Sequence, residues 1–377
     1  MTNADKKSFS FDEEAYRNKL IAGGVDPRSA AELAAKTAAA RHREESENLD
    51  LFQPVLLEPK KDATRTVKAK PAKPERPAKA IISQKEKQGP STRSEQKLIE
   101  VGTLISTERP SGDDMAFTHA VLCQVGLPRS KVDGREFLRK SGAAWVNIQA
   151  GVLDEGNGPV LQPIPYGPMP RLALAWVSTY AKRHNTREIP IGESAAEFLR
   201  LMDMDDQGAR YATLRKQMHA LAACRLQFGY KGRTYNGQPI DQFDAWVSNR
   251  ETQQRALWPG VMLLSDEYHK ELVKHGVPLD NRALHGLKGS ALALDVYTWL
   301  AHRLHRINGR PVVLHWKSLR EQFAQEYQGK DPDRDFKKRF LPALNDALAV
   351  YPQAKVKRVT GGLLLTASPP PVPYKGQ

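Results

Sequence analysis

The stretch LALAWVSTYAKR, Leu172 to Arg183, returns without gaps as LALDVYTWLAHR, Leu292 to Arg303. Leu172, Ala173, Leu174, Ala181 and Arg183 recur at Leu292, Ala293, Leu294, Ala301 and Arg303. The segments downstream of the two copies extend the correspondence. After the first come the extended piece EIPIG, a helix ESAAEFLRLM, a turn with Asp205, Asp206 and Gly208, a helix from Arg210, and a hairpin pattern LQFGYKGRTYNGQPIDQFDAWVS. After the second come RPVVLHW, a helix KSLREQFAQEY, a turn at Gly329–Pro332, a helix DRDFKKRFLPALNDALAVY, and the hairpin AKVKRVTGGLLLTAS with Gly361 and Gly362 at its bend. Helix, strand, helix, turn, helix and hairpin, stated twice, is the order of a winged helix-turn-helix, whose third helix enters a major groove.

Upstream of the repeat the chain changes character twice. FDEEAYRNKLIAGGVDPRSAAELAAKTAAARHREE reads as two short helices, the first ended by Gly23 and Gly24, the second capped by Asp26 with Pro27 at its first position. Its large apolar residues are too few for a core, so an arm is expected. Then Pro, Lys and Ala dominate without any hydrophobic period, which reads as an extended, positively charged linker. From about Glu100 the composition turns globular, and MAFTHAVLCQVGLP and GAAWVNIQAGVL read as strands. The expectation is an α+β chain of two tandem winged-helix domains preceded by a helical arm and a disordered linker. Residues 1–50 form the arm, 51–95 the linker, 96–256 the first winged-helix domain with an N-terminal β extension, and 257–377 the second.

Of 377 residues, 57 are Lys or Arg against 43 Asp or Glu, a net charge of +14 that favours an anionic partner. The two cysteines, Cys123 and Cys224, sit in apolar runs and read as buried hydrophobes of a reduced, cytoplasmic protein. No apolar region follows Met1, so no signal peptide is expected, and no apolar run approaches the roughly 20 residues that cross a bilayer.

The charge is locally sorted. Arg210 to Arg233 contains no Asp or Glu. Placed on a helix, Tyr211, Leu214, Met218, Leu221 and Ala222 form an inward stripe and Arg215, Lys216 and His219 an outward face. Arg225, Lys231 and Arg233 decorate the following hairpin. In the second copy Phe336, Phe340, Leu344, Ala347 and Leu348 point inward, with Arg334, Lys338 and Asn345 outward and Lys337 and Arg339 at the flanks. Lys355, Lys357 and Arg358 occupy its hairpin. Arg and Asn can bond guanine and adenine edges in two places at once, and Lys suits phosphates. Pro342 stands inside the second of these helices, to kink it around a groove or to break it so that only Arg334 to Phe340 touches DNA.

Catalytic readings find little support. No two histidines have the His-x-His spacing of a nicking site. His302 and His305 lie a helical turn apart with no nearby acid or cysteine to complete a metal site, and read as a solvent-facing basic helix. Asp203 to Asp206 fits a turn better than a two-metal centre. GLKGS reads as a loop before the second repeat's helix, and no phosphate-binding G-x-x-x-x-G-K-[S/T] occurs. Ser265 with Asp266 and Glu267 fits a capped helix start. No enzyme, cofactor or metal is expected.

HAVLCQVGLPRS, PIPYGPMPRLAL and HGVPLDNRALHGLKGSALALDVYTWLAHRL resemble the RepA-type replication initiators of broad-host-range plasmids, a similarity running from about Ala116 to the C-terminus. Phe11 to Thr37 is similar to the N-terminal arm of the IncP plasmid initiator. The resemblance implies binding of double-stranded origin DNA at directly repeated sites, called iterons, and melting of an adjacent A·T-rich region. It also implies recruitment of the host initiator and replicative helicase, and a monomer–dimer equilibrium. The second winged helix would supply the principal groove contacts, through Arg334, Lys338 and Asn345. The first would take part in dimerisation, with Arg215, Lys216 and His219 reaching DNA mainly in the monomer. Phe11 to Thr37 would dock the helicase. Two rival readings stand: a winged-helix repressor with the same DNA chemistry on a palindromic operator, and a primase or relaxase, for which the motifs are missing.

Overall fold

The structure is a computed structural model. It describes residues 92–372, apart from 193, 206–209, 231, 245, 247–259 and 325–330. In the arm it describes Glu14, Arg17, Asn18, Ile21, Pro27, Arg28, Ala31 and Ala35. The chain divides into two compact units, residues 1–78 and 79–377. In the first, the described residues are helical, and Arg17 meets Glu14 across one turn at 3.5 Å. The expected linker, as far as residue 91, lies outside the described residues, as do Asp26 and the Gly23–Gly24 pair.

The second unit is mixed α+β. It opens with α1 (Arg93–Thr107), whose start is fixed by a reciprocal box: Glu95 N–H donates to the Thr92 hydroxyl and Thr92 N–H donates to the Glu95 carboxylate. Then come β1 (Met115–Thr118), α2 (Ala120–Gln124), β2 (Glu136–Ser141), β3 (Ala144–Gln149), β4 (Val152–Asp154) and β5 (Pro159–Leu161). The first copy of the repeat supplies α3 (Pro168–His184), β6 (Glu188–Pro190), α4 (Ala195–Leu201), α5 (Arg210–Ala223), β7 (Arg225–Tyr230), β8 (Arg233–Gly237), β9 (Ile240–Phe243) and β10 (Val261–Leu264). A connection of α6 (Asp266–His275), β11 (Val277–Asp280) and α7 (Asn281–Gly286) leads to the second copy. That copy consists of α8 (Ala291–Leu304), β12 (Val312–His315), α9 (Trp316–Phe323), α10 (Pro332–Ala349), β13 (Lys355–Val359) and β14 (Gly362–Thr366).

The two copies build the same three-stranded antiparallel sheet, β6–β10–β9 in the first and β12–β14–β13 in the second. The strand that follows the repeated helix takes an edge, and the last strand takes the centre. This corrects the expected hairpin of copy one. β7 and β8 pair with each other, but the other side of β7 is taken by β3, giving a separate sheet β2–β3–β7–β8. Apolar pairs on one face set that register, Val146 opposite Phe228 and Ile148 opposite Leu226. On the other face Trp145 lies across Gly229, where a Cβ would meet its ring at 1.9 Å. β10, just beyond the boundary expected at 256/257, belongs to the first copy's sheet.

A second correction concerns MAFTHAVLCQVGLP. Only Met115–Thr118 is extended, pairing with β11, and Ala120–Gln124 is helical because the His119 ring accepts from Val121 N–H and caps it. The Ser265 cap forms as the sequence indicates, accepting from Tyr268 N–H.

The repeated helices α3 and α8 are joined at their N-terminal halves by charge. Arg171 grips Asp295 with both ends of its guanidinium, at 2.7 and 2.9 Å, and gives its remaining donors to the carbonyls of Gly167, Leu127 and Pro128. Arg129 approaches the same carboxylate at 3.8 Å and donates to the Phe323 carbonyl. Gly126 runs so close that a Cβ there would stand 2.6 Å from Asp295 Oδ1. All three charged side chains are under a tenth exposed. At the other end of the unit α1 lies on α7 and α10, and Gly102 touches the Ala349 carbonyl with no room for a side chain. Contacts therefore tie the N-terminal extension to both copies.

His119 is buried between Phe228 and Tyr268, ring centroids 5.7 and 5.0 Å away. Burial, aided by His275, lowers its pKa from 6.5 to about 4. Arg171→Leu leaves Asp295 with only its weaker arginine and is expected to lower unfolding free energy by about 3 kcal/mol in urea titration. The unfolded chain protonates His119 near 6.5 and the folded chain near 4. Its contribution to stability is thus intact above pH 6.5 and lost as pH falls toward 4, at most roughly 3 kcal/mol. Melting temperatures measured from pH 7.5 to 4.5 should fall, and His119→Gln should flatten the fall.

Candidate nucleic-acid interface

α10 begins where Asp331 accepts from Arg334 N–H, with Pro332 at the first helical position. Its inner side is aromatic. Phe336 and Phe340 are buried, 4.9 Å apart, and Phe340 meets Phe323 at 5.3 Å and Trp316 at 6.3 Å. Ala343, Leu344 and Ala347 continue the buried side, and Leu348 is half-buried. Arg334, Lys338 and Asn345 are exposed along the opposite side. They span about 16 Å at 1.5 Å per residue. Arg339 is exposed at one flank, and at the other Lys337 lies over the Trp316 ring at 5.3 Å. Asp333, in the first turn, is held by Arg320 at 2.7 Å.

The helix does not break at Pro342, which corrects the alternative of a contact surface ending at Phe340. Pro342 is exposed, so the Lys338 carbonyl that loses its amide partner faces water rather than core. Beside the helix, Lys355 and Lys357 are exposed on β13 and share one face of the strand, with Arg358 exposed on the other. The turn to β14 is made at Gly361, φ 87°, and Gly362 packs on the Leu314 carbonyl too closely for any side chain.

The first copy is different. Leu214, Met218, Leu221 and Ala222 are buried as the period requires, but Tyr211 is exposed and the C-terminal half of α5 is buried nearly all round. The reason is the β4–β5 hairpin, which packs on α5 and brings Glu155 with it. Glu155 lies 3.5 Å from Arg215 and 3.3 Å from His219, and it accepts from the Gln162 amide at 2.6 Å. Burial alone would raise the Glu155 pKa; Gln162, His219 and Arg215 together bring it below the ordinary range. His219 is 2% exposed and packed against Phe243 and Trp246. Burial outweighs Glu155 and lowers its pKa, so its contact to Glu155 at neutral pH is a hydrogen bond and Arg215 is the charged partner. His219 is therefore not on an outward face, and Arg215 is half-buried. Lys216 stays exposed on α5 and Arg225 on β7. Lys231 lies outside the described residues, and Arg233 is described for its backbone only.

His302 and His305 are not solvent-facing either. His302 is buried with Nε2 2.6 Å from Arg306, and His305 Nδ1 contacts the Ala301 carbonyl at 2.8 Å. Among the described residues no three metal-ligating side chains gather, and no helix is long and apolar enough to cross a membrane. Cys123 and Cys224 are free and buried, and burial pushes the Cys224 thiol up to about 12. Sequence reasoning passed over Glu155 and the Arg171–Asp295 pair. Two adjacent acids in DEGNG and single charges inside apolar helices carry no periodic signal.

Residues 164–317 match the family model described as plasmid-encoded RepA protein. The match includes Arg171 and Asp295 and ends in the first turn of α9, before α10. The solved structures similar to the chain include two of RctB. One, of its domains 2–3, has 12% identity and a TM-score of 0.39, covering 64% of this chain and 85% of that one. The other, a selenomethionine derivative of the same two domains, has 12% identity and a TM-score of 0.40, covering 66% and 98%. No curated protein matches. Of Phe11–Thr37, the stretch similar to the IncP arm, the structure describes eight residues, all helical, and the family match does not reach it. If Glu155 holds the hairpin on α5, Glu155→Gln should speed amide exchange in β4 and β5 several-fold by hydrogen–deuterium exchange, leaving β12–β14 unchanged.

Proposed function

We propose, from the premise that residues 164–317 match the plasmid-encoded RepA family, that this chain is a plasmid replication initiator binding double-stranded origin DNA. The observation that carries the reading is the exposed row Arg334, Lys338 and Asn345 on a helix anchored by buried aromatics, with Lys355, Lys357 and Arg358 on the hairpin beside it. We read both copies as winged-helix modules, each a helix set beside a three-stranded sheet, the first extending through β10 to Leu264 and the second following it. Arg334 and Asn345 are assigned to base edges and the lysines to phosphates. The second module does most of the reading, because the first, of Arg215, Lys216 and His219, leaves only Lys216 exposed and Arg215 half-buried. The first module and its exposed strands serve self-association in a monomer–dimer equilibrium.

Directly repeated iterons are the proposed sites, strand opening comes from bending and from summed binding at adjacent repeats, and the arm recruits the host initiator and helicase. None of this needs a catalytic centre. Its cytoplasmic setting follows from the origin it serves.

The first test is a DNase footprint over DNA flanking the gene. Protected blocks on direct repeats, spaced by roughly two turns of about 10.5 bp, are expected; a single protected palindrome would instead make the chain a repressor. Asn345→Ala should relax preference at one base position by about 1–3 kcal/mol. Lys357→Ala should weaken specific and random duplexes alike and reduce the salt slope by about one. Equal losses on both kinds of duplex for both variants would refute the division of roles.

A further inference from the structure

Four rings on one side of the first copy run outward from the core. Phe198 meets Trp176 edge-on at 5.0 Å, Trp176 stacks on Tyr180 at 5.6 Å, and Tyr180 meets His184 at 4.3 Å. The last three share a face of α3 because they are four residues apart. Such a stripe ordinarily belongs to a core. Here it leaves the core: Phe198 is buried, Trp176 and Tyr180 are half-buried, and His184 is exposed. Trp176 Nε1 donates to the Leu201 carbonyl at 2.9 Å, which fixes the ring.

Trp176 and Tyr180 form one wall of an open cavity of about 260 Å³, with Asp113, Arg183, Asp203 and Asn281 at its polar edge. That volume lies a little below the range of about 300–1,000 Å³ that takes drug-sized ligands, and suits a single planar group. The fold uses part of the polar edge and leaves part of it open. Arg183 is occupied, donating to the Gly112 and Met115 carbonyls and pairing with Asp113. Asn281 uses its backbone N–H on the Asp114 carbonyl at 2.7 Å, but among the described residues its side-chain amide has no hydrogen-bond partner. Asp203 is held at φ 54°. Beyond it Lys288 lies in electrostatic range of Asp203 and Asp205, and Arg210 pairs with Asp205 at 2.8 Å. Lys288 belongs to the loop immediately before α8.

We propose that this cavity binds a nucleotide whose base is unpaired. The base stacks along Trp176 and Tyr180, and the Asn281 amide meets its hydrogen-bonding edge. Aromatic faces hold any base, and an amide can both donate to and accept from a base edge. A base inside a duplex has both faces and its pairing edge occupied, so the ligand is a free mononucleotide or a base of a separated DNA strand. The site is distinct from the α10 face and stands whether or not that face binds duplex DNA.

The test uses the full chain, with deoxyadenosine monophosphate in equilibrium dialysis and a labelled single-stranded oligodeoxyadenylate in anisotropy. Tyr180→Ala should weaken binding about tenfold. Asn281→Ala should weaken it several-fold, and carries the test if Tyr180→Ala lowers the melting temperature. Tyr211→Ala, an exposed tyrosine elsewhere, should change nothing. Binding of the oligonucleotide alone identifies a separated strand as the ligand; binding of both probes identifies the free nucleotide as sufficient. The proposal is overturned if neither probe binds, or if Tyr211→Ala weakens binding as much as Tyr180→Ala. Duplex affinity read in the same samples tests the α10 assignment separately.

Discussion

The Arg171–Asp295 pair is the contact on which the arrangement of the second unit rests. A carboxylate in an apolar helix is costly unless its oxygens are filled, and here a two-pronged guanidinium and a second arginine fill them. The same guanidinium closes the loop 126–129 by bonding its carbonyls, so one side chain orients two repeated helices and the segment between them. Apolar packing alone would let α3 and α8 slide by a fraction of a turn. A bidentate pair accepts one alignment. The pair sits where the two copies differ most in meaning: Ala175 in the first copy is Asp295 in the second.

That alignment has consequences at the surface. The N-terminal extension, fixed by the loop, places β3 against β7 and β4–β5 against α5. Copy one thereby surrenders much of its cationic helix to internal contacts, while copy two keeps α10 open. Two copies that share the order helix, strand, helix, helix become unequal, the first carrying the extra β7–β8 pair before its last two strands. Of the side chains that looked outward in α5, Arg215 is paired by Glu155 and His219 is buried against Phe243 and Trp246, and beyond Phe198 the aromatic side of α3 opens into a cavity.

The repeat and the inward stripe of α10 were legible because both follow a period that a single helix imposes on its own sequence. Ser265 and Pro332 were legible for the same reason, as local chemistry of helix starts. The wing of copy one was not, because the hairpin pattern shows β8 as a partner of β7 but nothing local shows β3 as the other. What decided was the matching of Val146 and Ile148 to Phe228 and Leu226 across a long sequence separation. α2 was misread as strand because a five-residue helix is shorter than the period that would reveal it.

Sequence alone determined the α+β class, the helix, strand, helix, helix order that opens each copy, the cationic excess and the outward row Arg334, Lys338 and Asn345, since each depends on composition or on spacing within an element. Tertiary structure alone decided that His219 is buried, that α5 is covered and α10 is not, and that Asp295 has Arg171 for its partner. Those outcomes depend on which surfaces meet, and a helix's own periodicity carries no information about what packs against its polar side.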